Sequence, residues 1–258
     1  MKIYSSNGVI TLMSHSLIYP DWPAPDTVKA LATTRQGGFS NPPFDSLNLG
    51  IHVGDSANIV TRNRHYLIEI AQLPESPRWL NQVHGIDISL ADNWQINDKA
   101  DAIVSKQSNQ VCTIMTADCL PIILCNQDGD TVAAIHAGWR SLAAGIIEKT
   151  IQHFSCPPRE ILAWFGPAIG PSQFEVGSDV FHAFTQHSDQ AQKAFVQTGD
   201  SHYLADIFTL AKQRLNTLGV HAIFGGHFCT VSESDRFFSY RRDGVTGRMA
   251  TMIWISDK

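Results

Sequence analysis

Thr116 to Arg140 reads TADCLPIILCNQDGDTVAAIHAGWR, two apolar runs separated by Gln127-Asp128-Gly129-Asp130. Each run, Leu120–Cys125 and Thr131–His136, has strand length and falls short of an ordinary helix. Asp-Gly is a strong signal for a tight hairpin turn. Pro121 sits near the start of the first run, where a missing N–H is tolerated. Antiparallel pairing then brings the entrance of one strand beside the exit of the other. Cys119 and His136, 17 residues apart in sequence (136 − 119), become neighbours.

Working outward, Val111–Met115 and Ile161–Phe165 read as further strands, and Ala222–Phe224 as a short one. Arg78–Val83 reads as a strand ending at His84-Gly85. Phe237–Arg241 and Met249–Ile255 flank a Gly-containing turn and read as a closing hairpin. Helical spacing marks Ser141–Phe154, Val180–Phe184 and Leu204–Leu218. A helix capped by Asp55 or Ser56 carries Ile59, Leu67 and Ile70 on one face and stops before Pro74. Arg62, Asn63 and Arg64 lie within it and read as solvated. Between Val28–Thr33 and this helix, Arg35–Gly50 has the Gly, Pro, Asn and Ser content of a loop. Strands and helices mix without strict βαβ alternation. The expectation is an α/β (α+β) single domain with layered mixed β-sheets flanked by helices, not a doubly wound parallel sheet. Met13 is a candidate start, making residues 1–13 an extension to a domain spanning 14–258.

The chain has 258 residues, 19 of them basic and 24 acidic, for a formal charge of −5. No basic block exists, so a nucleic-acid partner is not expected. No apolar stretch approaches the ~20 residues of a membrane span, and the N-terminus lacks a signal-peptide pattern. Five cysteines with no framework spacing read as free thiols of a cytoplasmic protein. The oligomeric state is not legible.

Three places repeat one pattern, an apolar run entering a small-residue turn that carries a metal-binding side chain: NQVHG (His84), TADCLP (Cys119) and IHAGWR (His136). Two imidazoles and a thiolate suit zinc, and three ligands leave a fourth position for water or substrate. Each residue alone also has an ordinary structural reading, a buried thiol or a turn histidine. The same residues could instead form a cysteine nucleophile with a histidine base. A closed structural zinc site would need a fourth ligand, for which His227 or Cys229 in GGHFCT could serve. Copper ranks below zinc. Its weak axial ligand would be Met115, which on an extended strand lies about 13 Å from Cys119. Asp118 reads as a general base, a ligand-orienting group or a turn cap. Arg35 beside Gly37-Gly38, Arg140 at a helix start, and Arg241, Arg242 and Arg248 around the last turn are candidate anion contacts.

TTRQGGFS, SLNLGIHVGD, NQVHG, ADAIVS, MTADCLPI, AAIHAGWR, GPAIGPSQFEVG and FFSYRRDGVTGRMA occur in this order from about Ala30 to the C-terminus. Together they resemble the YfiH-type laccase-domain family, also described as multicopper polyphenol oxidase or purine nucleoside phosphorylase family proteins. The resemblance implies a fold similar to cytotoxic necrotizing factor toxins and a zinc site of His84, Cys119 and His136. It implies phosphorolysis of adenosine, inosine and methylthioadenosine and deamination of adenosine. The alternatives are a cytoplasmic peptidoglycan-precursor editing hydrolase and a laccase-like polyphenol oxidase. The last is disfavoured because the eleven histidines occur singly, without HxH pairs. The expected catalytic set is Cys119, His84, His136 and Asp118. Arg35, Asn48, Gln82 and Arg140 are the expected contacts to small substrates, a purine nucleoside and phosphate. Ser141 and Phe174 depart from the usual Gly and Tyr of the family.

Overall fold

The computed structural model describes residues 16–257 and, in the leader, only two short strands, β1 (Tyr4–Ser5) and β2 (Gly8–Val9), which pair antiparallel. The extension expected over residues 1–13 otherwise lies outside the described residues. Next come β3 (Leu17–Ile18), β4 (Val28–Thr33), α1 (Ala57–Ala71), β5 (Ile88–Leu90), β6 (Ala102–Ser105) and β7 (Cys112–Thr116). The central hairpin is β8 (Leu120–Asn126) and β9 (Val132–Ala137), followed by α2 (Trp139–Ala144), α3 (Ile146–Ile151) and β10 (Ile161–Phe165). The chain continues with β11 (Glu175–Gly177), α4 (Ser178–Thr185), β12 (Phe195–Gly199), β13 (His202–Ala205) and α5 (Ile207–Thr217). It ends with β14 (Ala222–Gly225), α6 (Tyr240–Asp243) and β15 (Met249–Ile255).

The strands form a six-stranded mixed sheet, β14-β10-β8-β9-β6-β5, a four-stranded antiparallel sheet, β3-β4-β15-β7, and a three-stranded sheet, β11-β13-β12. Period-2 alternation explains the layering. On β8, Leu120, Ile122 and Leu124 face α2 to α5, while Ile123 and Cys125 face the four-stranded sheet, where Cys112, Ile114, Ile253 and Ile255 meet them. On β15, Ala250, Met252 and Trp254 face the opposite way, against Leu67 of α1 and Leu47 and Leu49 of the preceding loop. The order is helices, sheet, sheet, helix. Both faces of β8 and β9 are covered, which is why their sequences are continuously apolar. No helix among the described residues is long and apolar enough to cross a membrane.

Several elements differ from expectation. Arg78–Val83 is extended but makes only isolated bridges, Arg78 to Cys112 and Asn81 to Lys99. The Ser141–Phe154 helix is two short helices broken at Gly145, whose φ of 98° caps α2 in the left-handed region that suits glycine. Leu204 and Ala205 end a strand rather than start a helix, because Asp206 caps α5 by accepting from Thr209 N. Phe237–Arg241 is no strand. Phe237 and Phe238 are buried beside Met249, and Ser239 Oγ caps α6 by accepting from Arg242 N. The terminal hairpin is therefore absent, and β15 lies between β4 and β7.

Of the polar run in α1, Arg62 is exposed as expected, whereas Asn63 is buried and Arg64 half-buried. Asn63 is fully buried, donating to Ser40 Oγ and the carbonyls of Ser46 and Asn48 and accepting from Phe39 N. Arg64 donates to Leu49 O and lies over the Trp79 ring, and Arg62 lies over Phe39. These contacts close the long loop Arg35–Gly50 onto the helix.

Candidate metal centre and its cavity

β8 and β9 pair in the register Leu120↔Ala137 and Pro121↔His136. Cys119 therefore falls beside Gly138. A β-carbon at Gly138 would stand 2.7 Å from His84 Nδ1 and 3.3 Å from Cys119 Sγ. Glycine thus leaves open the space into which these side chains point. The ligand atoms of His84, Cys119 and His136 all lie within 4.8 Å of one another, and the two imidazole centroids are 4.7 Å apart. His136 is buried, Cys119 half-buried and His84 exposed, so the cluster opens to the surface on one side. Two nitrogens and a sulfur grouped in this way could hold a metal ion. Cys229 is elsewhere engaged, its Sγ accepting from Gly170 N and Ser232 N, so it is no fourth ligand here.

The residue that assembles the cluster is Asp101, which precedes β6. Pairing of Ala102 with Ile135 sets Asp101 beside His136. The Asp101 carboxylate accepts from Val83 N, His84 N and Gly85 N, and meets His136 Nδ1 at 2.7 Å. One buried carboxylate thus holds one ligand by its ring and the other by its backbone, at a left-handed φ of 59° for His84. With Nδ1 committed, His136 presents Nε2. Burial by itself would raise the Asp101 pKa, but His136 and the Gly85 and Val83 amides outweigh it and hold the carboxylate below its ordinary range. Burial would lower the His136 pKa, but the neighbouring Cys119 and then Asp101 push it up to about 9. A metal ion held here would displace that proton. His84 is held below its ordinary value by burial first and then by His136, so its imidazole is neutral and ready to ligate at pH 7.

The cluster floors a cavity of about 410 Å³, whose wall includes His52, Gln82, Met115, Tyr240 and Arg248. Arg248 is braced from behind. Its backbone N donates to Asn48 Oδ1, its Nη1 donates to the carbonyls of Thr246 and Gly247, and a β-carbon on Gly50 would press its Cγ at 2.8 Å. The Gln82 side-chain amide substitutes for a strand, donating to Met115 O and accepting from Met115 N, both at 2.7 Å. His52 is kept below its usual pKa by burial and then by Arg248 and Arg64.

Other expected site residues lie apart. Asp118, next to Cys119 in sequence, turns away. It accepts from Thr230 Oγ1, Ser239 Oγ and Arg241 N, and these bonds occupy the carboxylate expected to move protons. Asn48 is fully buried and braces Arg248 rather than facing the cavity. Arg35 lines a different cleft, donating to Asp45 and to Ser234 O. Arg140 is exposed, over the Trp139 ring at 4.3 Å. Of the arginines around the last turn, Arg241 and Arg242 spend their guanidinium groups on backbone carbonyls, and Arg248 alone borders this cavity. Asp101 and His52 were not singled out from sequence. Their only signal was a place inside the motifs ADAIVS and SLNLGIHVGD.

The family described as Multi-copper polyphenol oxidoreductase laccase matches residues 29–256. The Escherichia coli protein named Purine nucleoside phosphorylase YfiH is 52% identical over 240 residues, covering 93% of this chain and 98% of its own. Purine nucleoside phosphorylase PA4543 of Pseudomonas aeruginosa is 50% identical, covering 92% and 98%. The crystal structure of Neisseria meningitidis protein NMB0706 superposes with a TM-score of 0.91 at 46% identity, covering 94% of this chain and all of that one.

Proposed function

Because this chain belongs to the Multi-copper polyphenol oxidoreductase laccase family, whose similar members carry the name purine nucleoside phosphorylase, we propose that it is a zinc-dependent purine nucleoside phosphorylase. Its substrates are adenosine, inosine and methylthioadenosine, cleaved with inorganic phosphate, and the same site deaminates adenosine. The observation that carries this reading is the convergence of His84, Cys119 and His136 on the floor of a cavity that also holds Arg248.

In phosphorolysis a phosphate oxygen forms a bond to C1′ of the ribose, the C1′–N9 bond breaks, and the base leaves with its electron pair and takes a proton. His84, Cys119 and His136 would hold the zinc, which when bound supplies Lewis-acid polarisation and an acidified water. Arg248 faces the anion, fixed by its own carbonyl contacts and by Asn48. Neutral His52 accepts from a ribose hydroxyl or relays a proton. Asp101 keeps both histidines aimed. Asp118 holds the segment that carries Tyr240 rather than moving protons.

Laccase chemistry needs several copper ions. Among the described residues, His84, Cys119 and His136 are the one cluster of three His, Cys or acidic ligands. Five unpaired cysteines support the cytoplasm as its place of action. The test is to incubate zinc-loaded protein with adenosine and phosphate and to quantify adenine, inosine and ribose 1-phosphate. Base release that depends on phosphate is expected. A zinc-loaded protein that releases neither base nor inosine overturns the proposal.

A further inference from the structure

Behind Cys119 lies a second cavity of about 140 Å³. It shares Ala117, Cys119 and Tyr240 with the larger one. Its other walls are of a different kind: the rings of Trp139 and Phe174 and the branched side chains of Ile169 and Ile207. Two charged residues border it, and both are committed. Asp118 accepts from Thr230, Ser239 and Arg241 N, and the Arg241 guanidinium donates to Gln173 O and Glu175 O. The two rings are braced by guanidinium groups, Arg140 over Trp139 at 4.3 Å and Arg241 over Phe174 at 5.7 Å.

We infer that this apolar cavity is the nucleobase subsite and that the Arg248 cavity takes the sugar and the anion. The inference rests on the purine nucleoside reading above. Its volume is well below the roughly 300 Å³ of the smallest pockets that take a whole ligand, so it suits one ring system. A purine is flat and polarizable, and stacks on aromatic walls, whereas ribose and phosphate need donors and a cation. A nucleoside lying across the shared ridge of Cys119 and Tyr240 sets its base–sugar bond next to the cluster. The arrangement also gives Arg140 a part. It acts on Trp139 from outside and touches no substrate, so it is a positioning residue.

The test reads binding and turnover separately. Adenine or hypoxanthine titrated into zinc-loaded protein should quench tryptophan fluorescence, and Trp139→Phe should remove that component. In phosphorolysis, Phe174→Ala should raise the nucleoside KM roughly tenfold, the scale of one lost aromatic contact with its buried area, with the phosphate KM within about twofold. Phe174→Leu serves if the alanine variant does not fold, with a smaller rise in the same parameter. Active enzyme whose nucleoside KM stays within about twofold in both variants, with no Trp139 quench, overturns the subsite. So does a rise in phosphate KM alone. Base binding at Trp139 without phosphorolysis leaves the subsite standing and overturns the proposed activity instead.

Discussion

Asp101 and Asp118 both sit just ahead of a strand, both are buried, and both collect three or more hydrogen-bond donors. Asp118 is one residue from Cys119, and Asp101 is 18 residues away (119 − 101). Yet Asp101 joins the cluster and Asp118 does not. Asp118 lies in the bend ahead of β8 with a left-handed φ of 89°, and its carboxylate is turned toward Thr230 and Ser239. Antiparallel pairing of β6 with β9 does the reverse and brings a distant carboxylate to His136. Asp101 joins ligand to ligand, whereas Asp118 joins the strand entrance to the Thr230–Arg241 segment and so shapes the cavity wall.

The largest expected effect is at Cys119. Cys119→Ala, or stripping the metal with a chelator, should lower phosphorolysis by about a thousandfold or more, the scale of losing a principal electrostatic stabiliser. Zinc added back should rescue the stripped wild type and not the variant. Full activity in metal-free protein would remove the zinc from the reaction.

Asp101→Asn should weaken zinc affinity by about 10–100-fold, measured by competition with a chromophoric chelator. Asp118→Asn should leave that affinity within about threefold and act on the fold. Loss of buried charge-assisted bonds costs about 1–3 kcal/mol, which lowers the melting temperature by roughly 2–10 °C. The contrast between the two aspartates breaks if Asp118→Asn loses as much zinc as Asp101→Asn.

A similar contrast separates two arginines. Arg248→Ala should raise the phosphate KM by about tenfold or more, as loss of a charge-assisted contact implies. Arg35→Ala, in its own cleft with Asp45, should leave it within about twofold. Equal effects would place Arg35 in the working site after all.

The smallest effects are in thiol reactivity. Burial pushes the Cys112 and Cys125 thiols up to about 12, so almost no thiolate exists at pH 8. Cys229 goes the other way. Burial raises its pKa, but hydrogen bonds from Ser232, Gly170 and Val231 outweigh this and lower it. Timed iodoacetamide labelling at pH 8, read by peptide mass spectrometry, should modify Cys229 well before Cys112 and Cys125, and zinc should slow Cys119. Cys125 labelling as fast as Cys229 contradicts the burial of the hairpin strand.

How much was legible follows the range of the interactions. The β8–β9 hairpin, β7, β10, β14, β15 and α1 were readable because apolar runs, Asp-Gly and Pro are local signals. Phe237–Arg241 was misread because buried aromatic residues resemble a strand wherever they pack. Asn63 was misread because an amide inside a helix reveals its partners only when the loop folds over it. His84, Cys119 and His136 could be picked out as strand-end ligands. Asp101 could not, since an aspartate before an apolar strand looks like any turn residue.

The sequence by itself determined which segments are apolar, where the central hairpin turns and which three side chains end at strand termini, because composition and spacing act over a few residues. The hairpin already set Cys119 beside His136; tertiary structure decided that His84 meets that pair, that Asp101 joins them, that Arg248 borders their cavity while Arg35 does not, and that Asp118 looks elsewhere. Those outcomes depend on strand register and on loops closing over tens to hundreds of residues, as when Asn48 meets Arg248 across 200 positions. No local pattern encodes contacts of that span.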